Sequence, residues 1–335
     1  MFYDSSIPTL DPQSKQAEAI SGLLIATLLL AVAVVIIIAV MVTVTIIRFR
    51  HRQSNDQSEP RQVSGSFRLE LIWTAIPALV LIGLFFPTVG AMNASDPAIP
   101  ANPQADIEII GHQWWWEYRY PKQNVVTANV MYIPTGQKVL AKLVGADVIH
   151  DFWVPQLGRK MDVNPGAPNY EYLEADNAGV FHGACAEYCG TQHAWMLISV
   201  HAVPQAEYDK WLSDQAKDST AALAASVNRP QVTSDQIEKG KQVFLNNTCV
   251  NCHSIAGTSA NYAQVGPNLT HVGSREILGA GVIETPQDNQ ALALENMKSW
   301  VKNPQAIKPG VHMPPYQQLS DGDLTNLAAY LESLK

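Results

Sequence analysis

Charge is scarce in this sequence of 335 residues: Asp, Glu, Lys and Arg make up 16% of it, against about a quarter in an average soluble domain. The deficit is local. Residues 19–47 and 71–95 contain none of the four, and each run is long enough to cross a hydrocarbon core of about 30 Å as a helix. Both runs exceed the usual length of a buried core helix. Positive charge is the scarcer sign, with 22 Lys and Arg against 30 Asp and Glu and a net charge of -8. No basic surface is left to neutralise phosphates, so nucleic-acid binding has no electrostatic support and no nucleic-acid partner is expected. Cysteine is rare as well. Four residues in the whole chain do not make a disulfide framework. A positive leader is also missing: Asp4, Asp11, Lys15 and Glu18 precede the first apolar run, so it reads as a retained span rather than a secretory signal.

What is present then orders the chain. Arg48, Arg50, His51, Arg52, Arg61 and Arg68 cluster between the two runs, and a positive loop faces the cytoplasm. Both termini, and everything after about residue 95, are expected on the opposite side. From Ala105 to about Val203 short β-rich runs, such as Asp106 to Ile110 and Val125 to Ile133, alternate with Pro-Thr-Gly, Asn-Pro-Gly and Gly-Ala-Pro, the pattern of an all-β sandwich or barrel. Asp214 to Arg229 is rich in Ala, Ser, Asp and Thr and suits a tether, which would raise the effective concentration of whatever follows without requiring a tight interface. Thr233 with Gln236, and Ser320 with Asp323, are helix-capping pairs, so the last region reads as helical. The expected boundaries are 1–95 for the membrane anchor, 96–213 for the β domain, 214–231 for the linker and 232–335 for the helical domain.

Two constellations carry chemistry. Cys185-Ala186-Glu187-Tyr188-Cys189-Gly190-Thr191-Gln192-His193-Ala194-Trp195-Met196 packs two thiols, an imidazole and a thioether into one loop, and His150 lies 35 residues upstream. Soft sulfur with imidazole favours copper, and a thioether suits a weak axial donor. A disulfide or a structural zinc would use the same cysteines and stays open on spacing alone. Cys249-Val250-Asn251-Cys252-His253 has the spacing of c-type haem attachment, with two thiols for thioethers and a histidine for iron. By chance it would arise on the order of once in a thousand such sequences. A redox dithiol would sit more naturally beside a βαβ unit, and a zinc finger needs a second ligand pair. Met297, Met313, His271 and His312 follow the motif as candidate sixth ligands. Met297 falls in the helix-like stretch Leu292 to Trp300, where Met is more often core, and Met313 precedes Pro314-Pro315-Tyr316. Gly111-His112-Gln113-Trp114-Trp115-Trp116-Glu117-Tyr118-Arg119-Tyr120 sets three tryptophans side by side. On a strand they occupy both faces, so at least one is expected to be exposed.

These motifs resemble subunit II of the haem-copper cytochrome c oxidases over about residues 15–205, and a cytochrome c over about 230–335. Such fusions are characteristic of the caa-type oxidases. The resemblance implies a multidomain membrane protein: a two-helix transmembrane hairpin, an all-β cupredoxin of Greek-key barrel type, and an all-α cytochrome c domain. It assigns His150, Cys185, Glu187, Cys189, His193 and Met196 to a dinuclear copper centre, CuA. The thiolates are bridges, each histidine is a terminal ligand, Met196 is a weak ligand and Glu187 binds through its carbonyl. One covalent haem c is implied on Cys249, Cys252 and His253, with Met313 as sixth ligand and Gly266-Pro267-Asn268-Leu269 beside it. The aromatic segment is similar to the one that covers the copper site, which makes Trp114 the electron entry residue and Trp115 and Trp116 packing or interface residues. Glu70, in Glu70-Leu71-Ile72-Trp73-Thr74-Ala75-Ile76-Pro77, matches a carboxylate at the cytoplasmic mouth of a proton pathway into subunit I.

The function so implied is electron transfer from a donor, through haem c and CuA, to the oxygen-reducing subunit I. Neither apolar run of this chain contains a histidine, so the oxygen site belongs to another subunit and the chain is enzymatic only within its complex. Implied partners are subunits I and III and a donor that is a cytochrome c, another small redox protein or an upstream respiratory complex. The implied place is the bacterial cytoplasmic membrane, crossed twice, with both redox domains on the periplasmic side. A CuA subunit of a nitric-oxide or nitrous-oxide reductase-type complex competes with this reading. So does a copper-binding assembly or storage protein, which has no need of haem. A quinol oxidase subunit would lack the copper ligands. One departure stands out: Lys160-Met161-Asp162-Val163-Asn164-Pro165-Gly166 is followed by Ala167, where the family usually carries Arg.

Overall fold

The structure, a computed structural model, describes residues 7–50, 64–218 and 232–335. His51, Arg52 and Arg61 of the positive loop, and most of the expected tether, lie outside the described residues. The chain divides into two compact units, Glu18–Asp96 and the remainder.

The smaller unit is built on two helices, α1 (Lys15–Arg48) and α2 (Phe67–Ser95). At 1.5 Å per residue they are about 51 and 44 Å long, and their apolar windows have mean hydropathies of 3.3 and 2.2. Leu29, Val35, Met41 and Ile47 on α1, and Leu79, Phe85 and Phe86 on α2, are exposed. Apolar surface on this scale finds no partner among the described residues, and a bilayer supplies one.

The larger unit begins with a strap. Gln13 donates its N–H to Gln156 O at 2.8 Å and accepts from Asp176 N at 2.8 Å, while Ser14 Oγ donates to Leu157 O at 2.7 Å. After Pro97 come ten strands: β1 (Ile107–His112), β2 (Trp115–Tyr120), β3 (Val125–Ala128), β4 (Val130–Pro134), β5 (Val139–Gly145), β6 (His150–Trp153), β7 (Met161–Val163), β8 (Asn169–Leu173), β9 (Gly179–Cys185) and β10 (Leu197–Val203). They form two five-stranded sheets, ordered β3-β2-β1-β5-β8 and β4-β10-β9-β6-β7. Pairs β1/β5 and β4/β10 are parallel. Inward residues alternate along the strands, as in β1, so Ile107, Ile109, Tyr118, Met131, Ile133, Leu143 and Phe152 meet in one core.

Two local features depart from the sequence reading. The run from Val125 to Ile133 is not one strand. Asn129 sits at φ 64°, and its side chain and N–H both bond to the Trp116 backbone, at 3.0 and 2.9 Å. That corner sends β3 to one sheet and β4 to the other. A further helix, α3 (Gln205–Gln215), follows β10 and lays Trp211 on Tyr132, with ring centroids 4.3 Å apart. It carries ordered structure past the expected start of the linker at residue 214.

The C-terminal region holds helices Ser234–Asn246, Gln290–Lys302, Pro304–Ile307 and Asp321–Ser333. Thr233 and Gln236 form the full reciprocal cap, and Ser320 accepts from Asp323 N. The first and last of these helices pack through Phe244 and Tyr330, in a core with Leu324 and Leu327. A small hairpin, Ile277–Leu278 against Ile283–Glu284, is the one addition to the expected helical pattern among the described residues.

Candidate copper and haem sites

The copper loop connects β9 to β10, and His150 opens β6, which pairs with β9. Sheet pairing therefore brings the distant imidazole to the loop. His150 Nδ1 lies 3.9 Å from Cys185 Sγ, Cys185 Sγ lies 3.7 Å from Cys189 Sγ, and Cys189 Sγ lies 3.8 Å from His193 Nδ1 and 3.9 Å from Met196 Sδ. The Glu187 carbonyl is 3.3 Å from Cys185 Sγ, while its side chain is exposed. All six expected ligands thus converge. The sulfurs are free and too far apart for a disulfide of about 2.05 Å. Their spacing suits two thiolates sharing a metal at about 2.3 Å from each.

Protonation follows from this crowding. The hydrogen bond from Cys189 pulls the Cys185 thiol down, and the same contact pushes Cys189 up, so the two thiols titrate as a pair, and a bound cation would displace their protons. Asp147, absent from the sequence reading, orients the site: its Oδ1 holds His150 Nε2 at 2.8 Å and leaves Nδ1 facing sulfur. Burial pushes the Asp147 carboxyl up, but the hydrogen bonds from His150, Val148 N and Gln113 N bring it below its ordinary value. A lone aspartate three residues before a histidine carries no sequence signal of that role.

The haem motif lies in a crevice of about 1320 Å³, its mouth included, lined by Cys249, Cys252, His253, Met297, Met313 and Leu327 among others. His253 Nδ1 donates to Pro267 O at 2.8 Å, which leaves Nε2 for a ligand. Burial lowers the His253 pKa, which favours the neutral imidazole, the form that binds iron. Gly266 is needed here, since a Cβ would stand 2.7 Å from that ring. The apolar lining, the paired thiols and a neutral histidine fit a haem. Of the four candidate sixth ligands, His271 is turned away to Lys217 O at 2.9 Å and His312 faces Trp114. Met297 is a core residue of its helix, while Met313 is half-buried on a loop at the crevice.

The aromatic segment joins the two sites. Trp114 lines the haem crevice, and its Nε1 donates to the Cys189 carbonyl at 2.9 Å. Trp115 stacks on His112 at 4.1 Å and packs with Ala280. Trp116 is fully buried beside His150 and Phe152. The expectation of an exposed tryptophan here is wrong: all three are buried, because the C-terminal region covers the face that an isolated β domain would show. Glu70 lies in the first turn of α2, in the other unit. Ala167 is exposed.

A membrane-anchored chain whose sulfur-rich cupredoxin loop and haem crevice share one tryptophan is an electron-transfer protein. Residues 6–90 match the family model of the cytochrome c oxidase subunit II transmembrane domain, residues 123–203 that of its periplasmic domain, and residues 237–335 that of cytochrome c. Cytochrome c oxidase subunit 2 of Alkalihalophilus pseudofirmus is 36% identical, over 99% of this chain and 92% of the relative. That of Bacillus subtilis is 32% identical, over 98% and 92%. Among solved structures, the periplasmic domain of subunit II of cytochrome oxidase from Bradyrhizobium japonicum is 33% identical, covers 34% of this chain and 95% of its own, and has a TM-score of 0.32. The chain belongs to the cytochrome c oxidase subunit 2 family, in a form that carries a cytochrome c domain, and works within a haem-copper oxidase beside subunit I.

Proposed function

We propose that electrons enter this subunit at the haem crevice, pass Trp114 and leave from the copper loop toward subunit I. The observation that carries this reading is the Trp114 indole, which lines the crevice and is hydrogen-bonded to the carbonyl of a copper-site cysteine. Cys249 and Cys252 would hold a haem covalently, and His253 and Met313 would supply its ligands. Cys185, Cys189, His150, His193, Met196 and the Glu187 carbonyl would together hold two coppers. When bound, these groups supply reversible one-electron chemistry. The protein's part is to hold both sets of donors in packed surroundings, so that little has to move when the charge changes. Tyr188 and Trp195, exposed beside His193, form the face for subunit I. The donor is a cytochrome c, another small redox protein or an upstream complex. Subunit III completes the assembly, both redox domains stand on the periplasmic side, and Glu70 admits protons from the cytoplasm. The anchor, cupredoxin, linker and cytochrome c parts divide at residues 95, 215 and 231, the second boundary being the end of α3.

Electron paramagnetic resonance of the purified complex, with metal analysis, tests the central assignment. Two coppers in the loop, with the unpaired spin shared over both, are expected. One copper there, or spin on a single nucleus, would overturn it. Cys185→Ser should abolish the shared signal and leave the haem spectrum intact.

A further inference from the structure

One buried cation in the larger unit lies between the two sites and belongs to neither set of proposed ligands. Lys308 follows the short helix Pro304–Ile307 and is 1% exposed. Its Nζ donates to Gly279 O at 2.8 Å, Trp195 O at 2.9 Å and Trp114 O at 3.2 Å. An ammonium has three N–H groups, and each finds a carbonyl. Burial pushes the Lys308 pKa down to about 7, against the pull of Cys189, and three acceptors that each take one N–H favour the charged form.

The three carbonyls belong to separate parts. Trp195 lies in the copper loop between His193 and Met196, Trp114 carries the indole that reaches Cys189, and Gly279 belongs to the turn of the haem-domain hairpin. The contact continues on either side of the lysine. Leu197 N, next after Met196, donates to Ala280 O at 3.2 Å. Gly310, at φ 91°, passes so close that a Cβ there would stand 3.1 Å from Thr191 Cγ2. His312 sets its ring 4.8 Å from that of Trp114, and Met313 follows at the crevice. The six residues from Lys308 to Met313 therefore run from the copper loop to the haem crevice.

We propose that Lys308 is a positioning residue: it latches the haem domain onto the copper loop and fixes the Trp114 indole between the crevice and Cys189. This rests on the route proposed above. It adds that the electron step depends on a docked interface whose closure one side chain controls. Without the ammonium, the contact loses all three of its hydrogen bonds from Lys308, a buried loss that water entry and opening relieve.

The test uses the whole oxidase complex carrying Lys308→Met, which keeps the apolar stem and removes the donors. Flash-induced electron transfer from haem to copper should slow at least tenfold and become sensitive to viscosity, with the haem spectrum and copper resonance unchanged. Hydrogen exchange supplies a readout independent of turnover: the Leu197 amide, bonded across the interface, should exchange at least tenfold faster in the variant. Unchanged transfer and unchanged exchange would overturn the proposal. Should the variant not assemble, the native complex decides, because a Leu197 amide that exchanges freely there would show that no latch is closed. The route itself fails differently, by an absence of any haem-to-copper transfer in the native complex.

Discussion

Asp147 and Lys308 shape the two sites without being ligands, and both act through groups they hold. Asp147 selects which nitrogen His150 presents, and Lys308 gathers three carbonyls. Neither was legible, since a single carboxylate or ammonium has no spacing to betray it. The proposed ligands stood out because cysteine is rare in this chain and all four residues fall in two tight motifs. Glu70 is a third case, resting on its motif and on its place in the first turn of α2. A carboxylate there is favoured by the helix dipole and, at the end of a membrane span, remains hydrated enough to exchange protons. Glu70→Gln should slow haem reduction in the catalytic subunit severalfold while haem-to-copper transfer within this chain stays fast. Time-resolved absorbance with a pH-indicating dye would check it, and unchanged proton uptake would return Glu70 to a purely interfacial role.

At the scale of elements, capping chemistry read well and buried faces did not. The Thr233–Gln236 pair marks the start of its helix, since a cap is a local arrangement of four residues. Thr233→Ala should destabilise that helix by about 1 kcal/mol, seen as faster amide exchange over residues 236–246, and Thr233→Ser should restore most of the protection. The tryptophan strand shows the converse. Periodicity says which side chains share a face, but not that another part of the same chain covers it, so Trp114 and Trp115 are buried against His312 and Ala280 where at least one of the three tryptophans was expected to be exposed. The corner at Asn129 was hidden for a related reason. An asparagine tolerates positive φ, but only its two bonds to Trp116 across the sheet select that conformation.

For the whole molecule, the docked haem domain changes what the tether is for. A domain that shuttled would lose rate as its linker lengthened, with effective concentration falling roughly as the −3/2 power of length. A latched domain would not. Inserting ten Gly and Ser residues between 222 and 223 should leave haem-to-copper transfer within about twofold of native, measured by flash photolysis on the complex. The N-terminal strap has a further consequence. Gln13 and Ser14 bond to Gln156, Leu157 and Asp176, so one short segment clips together the loop that joins β6 to β7 and the loop that joins β8 to β9. Loops tied in this way lose the slack from which local opening starts. Cutting the strap would leave every candidate ligand in place and let those two loops loosen first.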